Sequence, residues 1–498
     1  MKKKFTMNLW FIYIVLACCC LGTACSKKDM SGSAEVAMVS KSDVKISYSG
    51  GEEALKFIID GKWTISSDAS WITFLSPIEG IGNGIVKINA SANEGKSSRT
   101  ASLTISSKGS DKTVTVIQEA KSISIAFKHP SILYTAQELL DLKDIITNNS
   151  SASIKTTYNN LMARCATALT YVTTPYTGTN PVDFIDASYT PASYSRDLAM
   201  AYWFTGDRKY ALKSVELIKA WAVKTKGNKY QSDAGNGMYL TRAMYPMVCA
   251  YDMLVKENIM DQSTQEIIKD WFGIIYTEDM ASIQLWDKND YFDKQYFQNH
   301  LVAHSMGIIM LGFAIDNEAM VQFGLSSPSN PKNIQDLIAG CIFMPGDQPC
   351  VREDPKAPAP AKGEIYDRYR HKTGPLKGLQ YTHLTQTLLT TAARMCYNNG
   401  IDLFAYTAPT GENLRYPFEY YSDFYRMMNS CIKSEFYCGE TDRMALAGDV
   451  PGMYELGLRY YPDSEPIKLL INSGKFNRES AYMDLLGFTR FFSAPVNK

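Results

Sequence analysis

Histidine is scarce in this chain, with five residues among 498. A fold organised around a histidine metal centre is not what such a composition favours. Excess charge of either sign is also missing, since 51 Lys+Arg stand against 51 Asp+Glu. With no long basic run either, binding to nucleic acid is excluded as the chain's main purpose. Long apolar runs are absent after Leu9 to Leu21, which excludes a polytopic membrane protein. A hydrophobic fraction of 45% with 20% charged residues excludes a disordered chain. Beyond Cys25 the cysteines are Cys165, Cys249, Cys341, Cys350, Cys396, Cys431 and Cys438. Their odd number argues against a disulfide scaffold, and the spacing of Cys341 and Cys350 fits no zinc motif. Those two flank the turn Met344-Pro345-Gly346, and a disulfide between them would close that loop. Aromatics, by contrast, are plentiful: 31 Tyr, 21 Phe and 7 Trp suit a large helical core or surfaces that stack on sugars.

The first residues read as a targeting signal. Lys2, Lys3 and Lys4 precede the apolar run, and Gly22-Thr23-Ala24 leads to Cys25. This resembles the signal of a bacterial lipoprotein. It implies removal of residues 1–24, a lipid on Cys25, a tether over 25–36 and an outer-membrane anchor facing the periplasm or the cell surface. Loss of three lysines and no acid leaves the mature chain slightly acidic.

Two patterning regimes follow. Over 37–120 the period is two: Ala101, Leu103 and Ile105 alternate with Ser102, Thr104 and Ser106. Ile85 to Ile88 and Val114 to Ile117 are further strands, and Gly50-Gly51, Gly82-Asn83-Gly84 and Lys108-Gly109-Ser110 are turns. Short strands at this spacing predict a small all-β immunoglobulin-like sandwich. Trp63-Thr64-Ile65, Ser70-Trp71-Ile72, Asn93, Arg99 and Val114-Thr115-Val116-Ile117-Gln118 resemble a BACON module of glycan-degrading proteins. Trp63 and Trp71 then serve either as core residues of a spacer or as a sugar-binding surface. A linker over 121–130 leads into helical periodicity over 131–498. Ala211, Val215, Ile218 and Ala222 share one face, as do Leu384, Leu388, Ala392 and Met395 before Asn399-Gly400. Further helical patterns cover roughly 136–147, 194–204, 240–256, 263–276, 299–314 and 333–341. With strand patterns scarce, the second region is a large all-α unit: a bundle, a solenoid or an α/α toroid.

Four of the five histidines fall in two windows. His300 and His304 follow Gln298-Asn299. His371 and His383 lie in or just after the segment Gly363-Glu364-Ile365-Tyr366-Asp367-Arg368-Tyr369-Arg370-His371-Lys372. His300 and His304 have metal-ligand spacing on a helix, but Leu301 stands where a zinc hydrolase needs Glu. No nucleophile-elbow motif is present. A hydrolase would need two opposed carboxylates, for which Glu364, Asp367 and Asp293 are available. β-Elimination from a uronic acid polymer fits more of the residues. The proton on C5 becomes acidic only when the neighbouring carboxylate is neutralised, and a base and an acid must stand near the ring. Asn299 and His300 suit the first task and Tyr381 the second. Arg368, Arg370, His371, Lys372 and Lys377 would give an acidic chain a local site for a polyanion.

Gln298-Asn299-His300 at a helix start resembles the Asn-Asn-His motif of the alginate lyase superfamily of α/α toroids. Gly363, Glu364, Arg368 and Tyr381, with the helix ending at Gly400-Ile401-Asp402-Leu403-Phe404, resemble that superfamily's second active-site stretch. Ala201 to Asp207 and Met244 to Asp252 agree. The resemblance implies a toroid and a lyase without cofactor or metal. In it Asn299 neutralises the carboxylate, His300 neutralises it or acts as base, and Tyr381 is base and acid. Gln298 replaces the motif's first Asn and Pro375 occupies the place of its Arg, so the cationic role passes to Arg368 or Arg370. Glu364, Tyr366, His371, Lys372, Tyr239, Arg242 and Gln298 complete the expected substrate contacts. The partner expected is an anionic polysaccharide, of alginate or glucuronan type. A glycan-binding protein without catalysis is the alternative from another class, and oligomeric state is not set by the pattern.

Overall fold

The computed structural model describes residues 36–495 apart from 47, 49, 94, 96, 97, 109, 121–124, 149–150, 289–296, 331, 374–375, 441–449 and 475–484. Cys25 and Asp293 lie outside the described residues, and so does the side chain of Lys372.

Nine strands form the first unit: β1 (Val36–Val39), β2 (Asp43–Ile46), β3 (Gly51–Ile59), β4 (Lys62–Ser67), β5 (Ile72–Phe74), β6 (Glu79–Ile81), β7 (Gly84–Ala90), β8 (Arg99–Ser107) and β9 (Ser110–Gln118). They make two sheets in the orders β1-β3-β7-β5 and β2-β9-β8-β4-β6, with β2 parallel to β9. Alternation decides which side chains enter the core. Leu55, Phe57 and Ile59 point in from β3, and Leu103 and Ile105 from β8, against Val86, Ile88, Val114 and Val116. Trp63 is one of these core residues. Its ring meets Phe57 edge-on at 4.8 Å, and its Nε1 donates to the Gly82 carbonyl at 2.9 Å. A Cβ on Gly80 would stand 2.5 Å from the Trp63 ring, so only glycine fits there. Trp71 is covered by the Arg99 guanidinium, 4.4 Å from its ring. The sandwich touches the helical unit through Glu119, whose Oε1 accepts from the Ser327 and Ser329 hydroxyls.

The helices that follow are α1 (Ala136–Asn148), α2 (Ala152–Thr170), α3 (Pro181–Thr205), α4 (Arg208–Thr225), α5 (Asn236–Leu254), α6 (Gln262–Lys288), α7 (Asn299–Ala314), α8 (Glu318–Leu325), α9 (Ile334–Cys341), α10 (Gly378–Asn398), α11 (Arg415–Met427), α12 (Val450–Tyr460) and α13 (Glu465–Asn472). Local chemistry sets many of their starts. Asn180, Asp207, Asn317 and Asn333 each accept a backbone N–H of the first turn. Gly206, at φ 75°, ends α3 and lets α4 begin at once. α7 is apolar on every face and buried over almost its whole length, as a helix at the centre of a large unit must be. Asp252 on α5 accepts from the backbone of Ser131 and Ile132 and meets His129 at 2.6 Å, which fixes where the chain enters the helical unit. Among the described residues, no helix is long and apolar enough to cross a membrane.

A Cys341–Cys350 disulfide, which would close the turn between them, does not form. The Cys341 thiol donates to the Phe297 carbonyl, and the Cys350 sulfur accepts from the Arg352 N–H, so each is held by a different partner. Among the described residues, the disulfide joins Cys431 and Cys438.

Candidate active site

The site is built where the start of α7 meets a 3₁₀ turn, Tyr366–Tyr369, that runs on into Arg370. Gln298 precedes α7 in extended conformation but does not cap it with its own side chain. Capping comes from Asp367, far along the chain. One carboxylate oxygen accepts the Asn299 N–H at 2.8 Å and the Thr385 hydroxyl at 2.6 Å, and the other accepts Asn299 Nδ2 at 2.9 Å. A negative group at a helix N-terminus is favourable, and here it also fixes the Asn299 amide. Asn299 Nδ2 keeps a second hydrogen for another acceptor. Burial pushes the Asp367 carboxyl above the ordinary range, against the pull of Thr385, Arg370 and Asn299.

Gln298 turns its Oε1 to Arg370 Nη2 at 2.9 Å and to the Tyr369 hydroxyl at 3.3 Å. Arg370, so held, lies with its guanidinium 4.8 Å from the centre of the Tyr381 ring. Tyr381 belongs to the first turn of α10, and that turn is also capped from a distance. Glu440 accepts Gly378 N at 3.0 Å and Leu379 N at 2.5 Å. His300 lies 6.5 Å from Tyr239 and 6.1 Å from Trp286, ring centre to ring centre. Burial above all, with neighbouring His304, Arg370, Arg242 and Arg352 adding to it, pushes His300 down to about 3. A neutral imidazole stands there at physiological pH. It can donate a hydrogen bond or take a proton, but it cannot neutralise a carboxylate as a cation. Tyr239 is raised by burial, by Asp233 and by Tyr381, with Arg242 and Arg370 opposing. Ring contact places Tyr239 beside His300, and Gln298 and Arg370 link the start of α7 to Tyr381.

Other expected contacts prove to be supports. Arg368 is buried between Glu353 at 2.8 Å and Glu364 at 2.7 Å, and it also donates to the Pro358 carbonyl. Its charge is spent on those carboxylates, so it is not a substrate contact. Glu364 is buried as well and accepts from Tyr437 at 2.7 Å. Tyr366 is packed in an aromatic cluster, 6.1 Å from Phe343 and 5.8 Å from Tyr369. His371 presents Nδ1 to Glu440 at 2.6 Å and its ring to Phe436 at 4.9 Å, so it braces the start of α10. His304 is buried between Asp279 and the Ala234 carbonyl, and His383 lies in the core of α10. Of the two carboxylates a hydrolase would draw from this segment, Glu364 is committed to Arg368 and Asp367 to Asn299. Among the described residues, no three His, Cys, Asp or Glu side chains are grouped to hold a metal ion.

Sequence reasoning missed Arg352, Tyr369 and Trp286 at the site, and Glu440 behind it. Arg352 and Glu440 stand in stretches without periodicity, so no pattern marks them. Tyr369 lay in full view between Arg368 and Arg370.

Comparison with known proteins gives two family matches. Residues 61–119 match BACON, described as "Putative binding domain, N-terminal", and residues 172–348 match the alginate lyase family. The second stretch includes Asn299 and His300 but stops short of Arg370 and Tyr381. No curated protein matches the chain. Among solved structures, an alginate lyase from Bacteroides ovatus is 12% identical, with a TM-score of 0.50 over 74% of this chain and 100% of its own. Alginate lyase A1-III from Sphingomonas species A1 is 12% identical, with a TM-score of 0.45 over 74% of this chain and 99% of its own. A tetrasaccharide complex of alginate lyase A1-III is 14% identical, with a TM-score of 0.43 over 60% and 80%. At such identity the first likeness establishes the fold, an α/α toroid behind the β-sandwich.

Proposed function

We propose that the helical unit is a polysaccharide lyase that cleaves a uronic acid polymer, of alginate or glucuronan type, by β-elimination. One observation carries the reading. Three separate stretches are tied together: Gln298, next to Asn299 and His300, holds Arg370, and Arg370 lies over the Tyr381 ring. The likeness to alginate lyases in family match and fold supports it.

The chemistry follows from the roles these groups can fill. The second hydrogen of Asn299 Nδ2 and the Arg370 guanidinium take the substrate carboxylate and make the C5 proton acidic. Tyr381, as the phenolate with the Arg370 guanidinium beside it, takes that proton and becomes the neutral phenol. The C5–H electron pair becomes the C4–C5 double bond as the C4–O bond breaks. The departing oxygen takes a proton from Tyr381, so the tyrosine ends as it began. Neutral His300 donates a hydrogen bond to the sugar or serves as the base for the opposite C5 configuration. The N-terminal signal adds that the enzyme works in the cell envelope, tethered through Cys25.

The product carries a double bond conjugated with a carboxylate and absorbs in the ultraviolet. Incubation with alginate, glucuronan and other polyuronates should raise that absorbance. Silence on all of them, with reducing sugar released from a neutral glycan, would replace the lyase by a hydrolase. Binding without turnover would replace it by a glycan-binding protein.

A further inference from the structure

We infer that Arg352 forms a second carboxylate site, which takes the uronate next to the one being cleaved; the inference rests on the polyuronate reading above. The buried arginines of the toroid are neutralised within the protein: Arg196 by Asp197, Arg368 by Glu353 and Glu364, Arg394 by Glu138. Arg352 is only half-buried, and among the described residues no carboxylate lies within ion-pairing distance of it. It is nevertheless held in place. Its Nη1 donates to the Tyr369 hydroxyl at 2.9 Å, and its guanidinium lies 4.6 Å from the centre of the Tyr369 ring.

Arg370 lies against the same ring at 4.9 Å. The Tyr369 hydroxyl passes its own hydrogen to Gln298 Oε1, which also accepts from Arg370. Tyr369 and Gln298 therefore hold two like charges against one ring. Bringing two guanidiniums together costs free energy unless anions offset them; Asp367, 3.9 Å from Arg370 Nε, does so in part for Arg370, and among the described residues Arg352 has no such carboxylate. One of the two, Arg370, serves the carboxylate at the scissile sugar. A polyuronate carries a carboxylate on every sugar, so a chain that places one on Arg370 brings the next into the reach of a neighbouring cation. The Nη1 bond to Tyr369 leaves other N–H groups of Arg352 for a carboxylate, and a guanidinium matches that group with two parallel bonds. The ligand is an oligouronate with at least two adjacent charged sugars. A neutral or esterified neighbour would forfeit the contact.

The test is steady-state cleavage of alginate and glucuronan by the full chain and by Arg352→Gln, with Arg352→Lys and Tyr369→Phe beside it. Loss of a charge-assisted bond used equally by bound substrate and transition state should raise KM by about 10- to 100-fold and leave kcat within a few-fold. Arg352→Lys should recover part of the loss. Tyr369→Phe keeps the ring but removes the hydroxyl, and should raise KM by less. If the wild type cleaves and Arg352→Gln keeps its KM, the second site does not exist, while the lyase reading stands. A fall in kcat at unchanged KM would assign Arg352 to the chemistry instead and overturn the proposal equally. If the wild type binds alginate without cleaving it, the same comparison is made on Kd. If it neither cleaves nor binds any polyuronate, the polyuronate reading fails and takes the second site with it. Should Arg352→Gln fail to fold, Arg352→Lys decides.

Discussion

Asp367→Asn asks whether Asn299 is aimed by its neighbour. In the native site, three hydrogens converge on two carboxylate oxygens: the Asn299 N–H and the Thr385 hydroxyl on one, Asn299 Nδ2 on the other. An amide keeps one acceptor and turns an NH₂ group to the other place. In the better of its two orientations, Asn299 Nδ2 faces a donor. In the worse, the backbone N–H of α7 does, while Thr385 can turn to the Tyr381 carbonyl. One bond to a charged group is lost either way, which costs about 1.5–3 kcal/mol. Removal of a buried charge offsets part of this for the fold, because burial already pushes the Asp367 carboxyl upward. It offsets none of the misdirection of Asn299. At about 1.4 kcal/mol for each factor of ten, kcat/KM should fall by roughly 10- to 100-fold. The melting temperature should fall by only a few degrees in a unit of this size. Ultraviolet detection of the unsaturated product gives the first quantity and calorimetry the second. Activity within twofold of wild type would refute the idea that Asp367 orients Asn299. Unfolding at room temperature would make Asp367 a residue of the fold instead.

Tyr381→Phe should reduce turnover by about 10²–10⁴-fold while Kd for an oligouronate stays close to wild type; a variant that mainly melts earlier would mark Tyr381 as a core residue. Arg368→Ala leaves Glu353 and Glu364 buried and unpaired, and should cost about 3–5 kcal/mol in denaturant unfolding; a change in KM with unaltered stability would return Arg368 to the substrate. His300 is held near 3 in the folded protein, against 6.5 for an ordinary histidine. Between those values the unfolded chain binds a proton that the folded chain does not, so stability falls as the pH drops from about 6.5 toward 3. His300→Gln should make that decline shallower, as read from denaturant midpoints at pH 7 and pH 5, and an unchanged slope would mean that His300 does titrate normally.

The parts legible in the sequence are those where the period is regular. Alternation from β3 to β9 marks the sandwich, and it separates Leu103 and Ile105 from the serines and threonines between them. The start of α7 shows because Asn299 opens a long apolar stretch. The choice between Arg368 and Arg370 did not show. They stand two apart where the tight 3₁₀ turn ends at Tyr369, and so leave it in different directions, one into the core and one toward Tyr381. The reading of Arg368 as a substrate contact failed because no pattern announces Glu353, the carboxylate that claims it. The Cys431–Cys438 pair escaped for a similar reason, lying in a segment with no helical or strand period.

The two distant caps have a consequence for how the helical unit is assembled. Neither α7 nor α10 carries a capping side chain of its own; Asp367 and Glu440 supply the acceptors from more than sixty residues away in sequence. Each helix can therefore form its body early, from local contacts, while its first turn waits for the loop that completes it. Asn299 and Tyr381 stand in those first turns. The geometry that the proposed chemistry needs is therefore complete only once both loops have docked. A toroid with every helix intact and these two loops undocked would look folded to most spectroscopic probes, yet it would be inert.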